Sequence, residues 1–302
     1  MRQEGVLPCP LFTSSTTEGR SLTFGRPPQR IVSLVPSDTY SVVRLGATRL
    51  VGATKPAASS PLIWVIFQVS GFKNARVADI LALSPDLVLA NQEENTRDVL
   101  EALATERSTG LGELSKTLRD GVAHLAKLAR VLGVDGSPEV KALIRTGYTT
   151  AKEAQSIERR VKVFAPIWLD PLMTINRDTF FSDMLRAVGG ENVFADRDRR
   201  YPLAADVGIA PVLPPDQVAG RDTRYPRITF DEVIERAPEL ILLPDEPYAF
   251  SEEHRAKFLA LDTPASKRGA VELCSGKDLC WPGAMAIEAF ARLRERVQRA
   301  SE

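Results

Sequence analysis

The chain has 302 residues, 44% of them hydrophobic and 26% charged, which is typical of a folded protein large enough for two domains. Its 39 basic residues balance its 39 acidic residues, so a nucleic-acid-binding surface is not expected. The longest apolar run, residues 61–69, is too short to cross a bilayer, and the N-terminus lacks the apolar core of a signal peptide. We therefore expect no membrane insertion and a cytoplasmic location, or a periplasmic one if a leader precedes these residues.

The first lobe is predicted over residues 30–134, after an N-terminal arm at 1–29. Apolar periodicity and turn residues predict strands at 30–35, 49–53 and 87–90, and helices at 40–45, 75–83, 96–104 and 114–132. Residues 105–112 are polar and contain glycine, so no strand is predicted where a parallel sheet would have one. A long helix from Ser137 to about residue 160 is predicted as a rigid spine, within a linker at 135–160.

The second lobe is predicted over residues 161–302. Its elements are expected as strands at 161–168, 239–243 and 270–274, a short strand after 192, and helices at 178–188, 230–236, 252–260 and 283–298. Residues 196–227 are rich in proline, arginine and aspartate and are predicted to form a long loop or insertion. Its basic run Arg197, Arg199 and Arg200 is interpreted as solvated, with contact to an anionic ligand as the alternative.

The cysteines and histidines do not indicate catalysis or a metal site in the protein. Cys9, Cys274 and Cys280 have none of the spacings of metal sites, and we expect reduced thiols rather than a Cys274–Cys280 disulfide. The two histidines, His124 and His254, fall on predicted helices, where a structural or solvated role is expected. No G-x-S-x-G motif is present for a serine nucleophile. The prediction is a protein that is not an enzyme.

One segment of the sequence occurs twice. Residues 79–93, DILALSPDLVLANQE, align without a gap on residues 232–246, EVIERAPELILLPDE, so that Pro85 faces Pro238. Each copy predicts the end of a helix, a proline that stops it, a buried strand and an acidic loop at the strand's carboxyl end. The repeat therefore predicts two similar α/β lobes, with the functional site in a cleft between them.

Six segments carry a resemblance to a known family. In chain order they are RIVSLVPSDT, LGATRLVGATK, PDLVLANQEEN, AVGGENVFAD, PELILLPDEPY and LCWPGA. None is specific alone, but the ordered set resembles the class III, helical-backbone solute-binding proteins over about Arg30 to Val297. These are the cobalamin- and ferric-siderophore-binding components of ABC importers.

The resemblance implies an α/β fold of two Rossmann-like lobes with mostly parallel sheets, joined by a long spine helix. It implies that loops at the carboxyl ends of strands bind the ligand, a cobalamin-like corrinoid or a ferric siderophore, without catalysis and without a catalytic cofactor. An ABC permease is the implied partner of a monomeric protein. Similar family members carry a Cys and a His after the Thr-Lys pair, whereas this chain has residues 56–59, PAAS, and no metal ligand is expected there.

In the first lobe, the candidate ligand-binding residues follow predicted strands. Pro36, Ser37 and Asp38 would offer hydrogen bonds to ligand amides or carboxylates, and Ser37 and Asp38 also suit helix capping. The other candidates lie on the next loops: Thr54, Lys55, Phe72, Lys73, Asn74 and Asn91. A lysine there suits an anionic ligand such as a corrinoid phosphate, and a solvated side chain is the alternative.

In the second lobe, the candidates are aromatic and apolar residues near strand ends, namely Trp168, Met173, Tyr248 and Trp281. Flat rings suit the face of a corrin or a catecholate, and burial in the core is the alternative for each residue. The acidic loops supply Glu93, Glu94 and Glu246, which the resemblance implies as docking residues for permease arginines. Ligand contact and simple solvation are the other readings of these three glutamates.

Two other functions fit the same lobes. A cytosolic metal-chelatase-like enzyme would need a cluster of His, Glu or Cys, and the sequence offers only carboxylates and isolated thiols. A degenerate pair of lobes that serves as a protein-interaction module is the third hypothesis. The altered loop after Lys55 and the absence of a predicted strand at 105–112 keep this hypothesis open.

Overall fold

The computed structural model describes residues 12–15, 21–54, 67–68, 76–105, 110–111, 114–158 and 160–301. The chain divides into two compact units. Unit 1 comprises Met1–Ser115, Asp120–Gly147 and Pro282–Met285, and unit 2 comprises Lys116–Arg119, Tyr148–Trp281 and Ala286–Glu302. None of the helices among the described residues is long and apolar enough to cross a lipid bilayer.

Unit 1 is built on a parallel sheet. Its elements are β1 (Phe12–Ser15), β2 (Ser21–Phe24), β3 (Ile31–Ser33), α1 (Pro36–Arg44), β4 (Leu50–Ala53), β5 (Phe67–Gln68), α2 (Val77–Ala82), β6 (Leu87–Leu89), α3 (Arg97–Thr105) and β7 (Gly110–Leu111). The five-stranded sheet has the order β5-β4-β3-β6-β7, and every neighbouring pair is parallel. β1 and β2 form a separate antiparallel pair within the predicted arm.

The centre of this sheet is apolar on both faces, as expected for a parallel sheet covered by helices. β3 and β6 are wholly buried, and Val32 and Val88 pack with Ile80 of α2 and Leu103 of α3. β7 corrects the expectation that residues 105–112 supply no strand, because Gly110 and Leu111 pair with Val88 and Leu89 of β6. The pairing is only two residues long, which is why the sequence gives so little signal for it.

Two helices link the units in sequence. α4 (Leu118–Val131) presents an apolar stripe that includes Val122, Leu125 and Leu128, all fully buried. α5 (Pro138–Glu153) follows and continues as a 3-10 turn at Ala154–Ser156, so the helix ends a few residues before the predicted 160. The division between the units falls inside α5, after Gly147.

Unit 2 repeats the parallel design with more connecting structure. Its elements are β8 (Val161–Phe164), β9 (Trp168–Leu169), β10 (Leu172–Met173), α6 (Phe180–Ala187), β11 (Gly190–Asn192), α7 (Leu203–Asp206), α8 (Pro215–Val218), α9 (Phe230–Arg236), β12 (Leu240–Pro244), α10 (Glu252–Leu259), α11 (Pro264–Lys267), β13 (Val271–Cys274), α12 (Gly276–Cys280) and α13 (Ala284–Arg299). Its four-stranded sheet is parallel, with the order β11-β8-β12-β13. The α/β fold with mostly parallel sheets is confirmed.

The repeated segment has the same backbone path in both units. α2 ends before Ser84 at φ 46°, and α9 ends before Ala237 at φ 47°, so each helix is closed by a non-glycine residue in the left-handed region. The acidic residue just before β6 or β12 then accepts hydrogen bonds from backbone amides near the start of the neighbouring strand, β3 or β8. Asp86 accepts hydrogen bonds from the Gln29 and Arg30 amides at 2.7 and 2.8 Å. Glu239 accepts one from the Lys162 amide at 2.9 Å.

Local capping explains where the helices of unit 2 begin. Thr229 Oγ1 accepts a hydrogen bond from the Glu232 amide at 3.2 Å, and the Glu232 carboxylate accepts one from the Thr229 amide at 3.0 Å. This capping box fixes the first turn of α9. Ser251 and His254 form the corresponding box at α10, so His254 has the structural role that the sequence predicts for it.

Candidate functional site

The carboxyl ends of parallel strands gather the candidate residues of unit 1 at one edge of its sheet. We call this the unit 1 edge; its members among the described residues are Pro36, Ser37, Asp38, Thr54 and Asn91. The first three follow β3, Thr54 follows β4 directly, and Asn91 follows β6. The prediction that these residues belong to strand ends on one sheet therefore agrees with the topology.

Helix α1 begins earlier than predicted, and this changes the role of its first residues. Pro36 is the first helical residue and Val35 is the N-cap, without a side-chain capping hydrogen bond. The expectation that Ser37 and Asp38 cap this helix is therefore wrong, since both lie in its first turn and are buried. Proline takes this position well because its fixed φ suits a first helical turn that has no partner for its N–H.

The Asp38 carboxylate is directed to α4 rather than to solvent. Its Oδ1 lies 2.8 Å from His124 Nε2, and both side chains are almost completely buried. A buried carboxylate requires such a partner, because an unpaired charge in the protein interior is strongly unfavourable. His124 has the structural role that was predicted, and Asp38 acts in unit 1 as its partner.

Thr54 and Asn91 differ in what their side chains do. Thr54 is buried, and its Oγ1 has no hydrogen-bond partner among the residues that the structure describes. The Asn91 Oδ1 accepts hydrogen bonds from the amides of Glu93 and Glu94 at 3.1 and 2.8 Å. Asn91 therefore shapes the acidic turn that follows β6, which leaves Glu93 exposed and Glu94 half-buried.

Four predicted ligand residues, Lys55, Phe72, Lys73 and Asn74, lie outside the described part of the chain, as do residues 56–59. The other predicted candidates all belong to unit 2. They lie at the carboxyl edge of its sheet, which we call the unit 2 edge: Trp168, Met173, Glu246, Tyr248 and Trp281. The loops after β8, β12 and β13 supply these residues.

Trp168 presents the most exposed ring at the unit 2 edge. It begins the antiparallel β9–β10 hairpin, opposite Met173, and 43% of its surface is exposed. Its indole Nε1 donates a hydrogen bond to the Asp170 carbonyl at 3.0 Å, and its ring meets Tyr248 nearly edge-on at 5.3 Å between centroids. The hairpin and the tyrosine thus hold a large apolar surface in one orientation while it faces solvent.

Tyr248 is supported from behind by a cluster of rings. Phe250 lies 4.8 Å from it between centroids, and the Tyr248 hydroxyl lies 3.2 Å from His254 Nε2. Phe250 also contacts Phe258 of α10 at 6.1 Å, which ties the cluster to the core. Tilted and edge-on ring pairs of this kind add stability beyond the burial of their area. Trp168 and Tyr248 therefore form a preorganised aromatic surface.

Trp281 has the opposite environment from Trp168. Only 8% of its surface is exposed, and the Lys277 ammonium lies 5.1 Å from the centre of its ring. It adjoins Glu246, whose pKa is raised above its ordinary value by burial, while hydrogen bonds from Cys280 and Trp281 act in the other direction. The Cys280 thiol is 3.5 Å from Glu246 Oε1. The Glu246 carboxyl is thus engaged within unit 2.

The two described cysteines are free thiols, in agreement with the sequence prediction for them. Burial raises the pKa of Cys274 to about 12, so this thiol stays protonated at neutral pH. Among the described residues, no group of three or more His, Cys, Asp or Glu side chains is placed to hold a metal ion.

The basic run of the 196–227 segment is not solvated throughout, contrary to the sequence interpretation. Arg197 is buried and donates to Glu232 Oε1 at 3.1 Å, to Asp206 Oδ1 at 3.3 Å and to the Asp206 carbonyl at 2.6 Å. Asp206, also buried, accepts from the amides of Arg200 and Arg227. This network fastens the long segment to α9, and sequence reasoning missed it because its partners are far apart along the chain.

A cation–aromatic stack lies on the same segment. The guanidinium carbons of Arg199 and Arg221 lie 5.2 and 5.0 Å from the centre of the Tyr201 ring, and the Tyr201 hydroxyl donates to the Asp222 carbonyl at 2.8 Å. The Arg224 side chain lowers the pKa of the Asp222 carboxyl through a hydrogen bond. Tyr201 and Arg224 are therefore held in place by contacts within the segment.

No protein-family model matches the chain. Two proteins illustrate what the chain is similar to in sequence. One is the "uncharacterized ABC transporter substrate-binding lipoprotein YvrC" of Bacillus subtilis (strain 168), 27% identical over 220 residues, which are 70% of this chain and 69% of that protein. The other is the vitamin B12-binding protein of Pectobacterium carotovorum subsp. carotovorum (strain PC1), 27% identical over 230 residues, 73% of this chain and 72% of that protein.

In structure the chain is similar to the periplasmic vitamin B12-binding protein BtuF of Vibrio cholerae. The TM-score is 0.71 at 20% sequence identity, and the match covers 91% of this chain and 99% of that one. The two chains thus share a fold. The sequence and structure matches together confirm the predicted resemblance to the class III solute-binding proteins.

Proposed function

We propose that this chain binds a metal-chelate small molecule, either a cobalamin-like corrinoid or a ferric chelate, and delivers it to an ABC importer. Binding is non-catalytic, which agrees with the substrate-binding proteins that the chain matches in sequence. The observation that carries the proposal is the exposed ring of Trp168, held against Tyr248 at the unit 2 edge.

The geometry of this ring pair suits a flat or bulky apolar ligand. Trp168 cannot turn freely without losing its hydrogen bond to the Asp170 carbonyl, so little conformational entropy is lost when a ligand covers it. Joined apolar surface that is open to solvent often marks a binding site, and the rings of Trp168 and Tyr248 are in contact. A corrin ring or an aromatic chelate offers a matching apolar face.

The unit 1 edge supports the same proposal with polar groups. The Thr54 hydroxyl is buried beside the end of β4 and has no hydrogen-bond partner among the described residues. A ligand amide or carboxylate that reached it would satisfy a group that otherwise costs free energy. Asp38 is removed from the set of direct ligand contacts that we propose, because it pairs with His124.

The ABC permease is the proposed partner, and Glu93 is the proposed docking residue of unit 1. Its side chain is exposed, and Asn91 holds its backbone in a fixed turn. Glu246 is a weaker candidate, since burial raises its pKa and favours the neutral carboxyl, which attracts arginine less. We therefore expect docking on the permease to depend more on Glu93, in the acidic turn of unit 1, than on Glu246.

Ligand titration monitored by tryptophan fluorescence tests the proposal. The panel is cyanocobalamin, haem and several ferric siderophores, with inner-filter controls because these compounds absorb strongly. We expect saturable quenching by one ligand class and an affinity at least about tenfold lower in Trp168→Ala, since the ring would be largely buried by the ligand. The matched control is Tyr148→Ala, which removes another exposed ring, on α5. Absence of saturable binding across the panel would contradict the proposal.

A further inference from the structure

Tyr248 of the unit 2 edge and His254 of α10 share a hydrogen bond whose direction follows from a third residue. The Tyr248 hydroxyl lies 3.2 Å from His254 Nε2, and taken alone either atom could supply the proton. The backbone amide of Ser251, however, donates a hydrogen bond to His254 Nδ1 at 3.0 Å. A backbone N–H only donates, so Nδ1 carries no proton. The proton of the neutral imidazole is therefore on Nε2.

This tautomer makes His254 the donor and the Tyr248 oxygen the acceptor. An imidazolium does not fit the same contacts, because its Nδ1 proton would face the proton of the Ser251 amide. The phenol proton of Tyr248 then points away from His254, and no other atom of the described residues accepts it. Tyr248 therefore retains one hydrogen-bond donor for a group outside the protein.

The hydroxyl belongs to the ring that supports Trp168. The two rings are 5.3 Å apart between centroids, and Trp168 exposes 43% of its surface. Phe250 and His254, whose ring centroids lie 4.8 and 5.4 Å from that of Tyr248, hold the tyrosine ring in place. A molecule that covers the indole thus borders a phenol whose orientation is preset, so that little freedom is lost when a hydrogen bond forms.

We infer that Tyr248 donates a hydrogen bond to the bound ligand, and that His254 is the positioning residue that reserves the phenol proton for it. This inference rests on the proposed function and defines its ligand further. Beside its apolar face, the ligand carries an oxygen that accepts a hydrogen bond, such as a carbonyl or a carboxylate oxygen. A ligand with an N–H group at that place would oppose one proton with another and bind more weakly.

Two substitutions of His254 keep or reverse the direction of this hydrogen bond with little difference in shape. Glutamine and glutamate both suit the third helical position of a capping box, where a side-chain oxygen accepts from the N-cap amide. The other terminal atom of glutamine is an amide nitrogen, which donates as Nε2 does. In glutamate it is an oxygen, which accepts the phenol proton. His254→Gln should therefore keep the ligand affinity, and His254→Glu should lower it.

Fluorescence titrations with cyanocobalamin, haem, ferrichrome and ferric enterobactin measure the effect on each probe that the wild type binds. Tyr248→Phe and His254→Glu should each raise the dissociation constant about three- to tenfold, as expected for one lost hydrogen bond, and His254→Gln should change it less than about twofold. Tyr248→Phe/His254→Glu should bind like Tyr248→Phe, since no phenol proton remains to be redirected. A further loss in the double variant would assign the effect of glutamate to its charge and overturn the inference.

Nitrogen NMR of the ligand-free wild type tests the tautomer separately, with His254→Gln to assign the signals. The His254 Nδ1 signal should be that of an unprotonated ring nitrogen and the Nε2 signal that of a protonated one. A proton on Nδ1 overturns the inference, as does a probe that binds Tyr248→Phe like the wild type or binds His254→Gln as weakly as His254→Glu. In these cases the ligand proposal stands, whereas a wild type that binds none of the probes contradicts both.

Thermal unfolding separates these effects from loss of structure. Both His254 variants retain the capping box, so their thermal stabilities should be similar while their ligand affinities differ. Affinities of the two variants that merely follow their stabilities would show that His254 only supports the fold, which overturns its positioning role.

Discussion

Unit 1 and unit 2 share one helix–strand segment, but they differ in the side chains at the carboxyl edges of their sheets. The shared segment is α2–β6 in unit 1 and α9–β12 in unit 2. Each has a residue with left-handed backbone conformation after the helix and a carboxylate that accepts a hydrogen bond from a backbone amide at the neighbouring strand. At the unit 1 edge the described side chains are small, polar and mostly buried. At the unit 2 edge, Trp168 presents its ring to solvent beside the half-buried ring of Tyr248.

The difference arises from the connections and leaves the common framework unchanged. In unit 1, β3 passes directly into α1, so the residues after the strand enter the first helical turn and are buried there. In unit 2, the β9–β10 hairpin intervenes between β8 and α6 and carries Trp168 outward. A similar framework thus supports a polar edge in one unit and an aromatic edge in the other.

The largest effect is expected at Arg197, the buried arginine of unit 2. Arg197→Ala should lower the free energy of unfolding by about 3 to 5 kcal/mol, because Asp206 would be left buried without its charged partner. Urea unfolding measures this change. Arg200→Ala is the control, since Arg200 is exposed and its loss should cost less than about 0.5 kcal/mol. Equal effects of the two substitutions would show that the Arg197 network does not hold the segment.

A smaller loss is expected from the buried pair of unit 1. His124→Ala should destabilise the protein by about 2 to 3 kcal/mol, since the Asp38 carboxylate would lose its partner at 2.8 Å. Urea unfolding of His124→Ala, Asp38→Ala and the double variant forms a double-mutant cycle. A coupling energy near zero in this cycle would mean that the two side chains do not support each other.

The common framework can be tested at its two left-handed residues. Ser84→Gly and Ala237→Gly should each stabilise the protein by about 0.5 to 1 kcal/mol, because glycine adopts positive φ without steric cost. Thermal unfolding detects the change, with Ala82→Gly inside α2 as a control that should destabilise. If only one of the two glycine variants gained thermal stability, the two repeats would not be structurally equivalent.

The smallest effect concerns Glu246 and depends on pH. Its folded pKa is raised by burial, so the stability it contributes is complete below its ordinary value of 4.5 and is lost as pH rises through the folded pKa. Glu246→Gln should therefore be more stable than the wild type at neutral pH, by less than about 1 kcal/mol because the group is partly screened by solvent. The advantage should disappear in acid. An advantage that grows in acid, seen in thermal unfolding across pH, would contradict the assignment.

The sequence predicted the framework because its signals are local. The apolar runs and stop signals of the repeat defined both strands, and the Thr229–Glu232 pattern lies where α9 begins at Phe230, as predicted. β7 was not predictable in the same way, since Gly110 and Leu111 form a strand only through pairing with β6. Propensity carries no information about such a short edge strand.

The site was harder to predict because it depends on distant partners. Asp38 fits the pattern of a helix cap, and only the position of His124, 86 residues later, shows its actual partner. In the sequence, Arg197 looks like one of several charged loop residues, and only the structure shows its hydrogen bonds to Glu232 and Asp206. Trp168 and Trp281 are equivalent as residue types, yet one is exposed and the other buried.

The most direct measurement follows the indole NH signals of the tryptophans by NMR during a titration with the ligand that the fluorescence panel selects. A diamagnetic form, cyanocobalamin or a gallium-substituted chelate, keeps the signals visible, and the variants Trp168→Phe and Trp281→Phe assign the two signals. The account predicts that the Trp168 signal shifts saturably, with the same dissociation constant as the fluorescence titration, and that the Trp281 signal shifts less. A ligand that binds while the Trp168 signal stays unchanged would contradict the claim that its exposed ring is the binding surface.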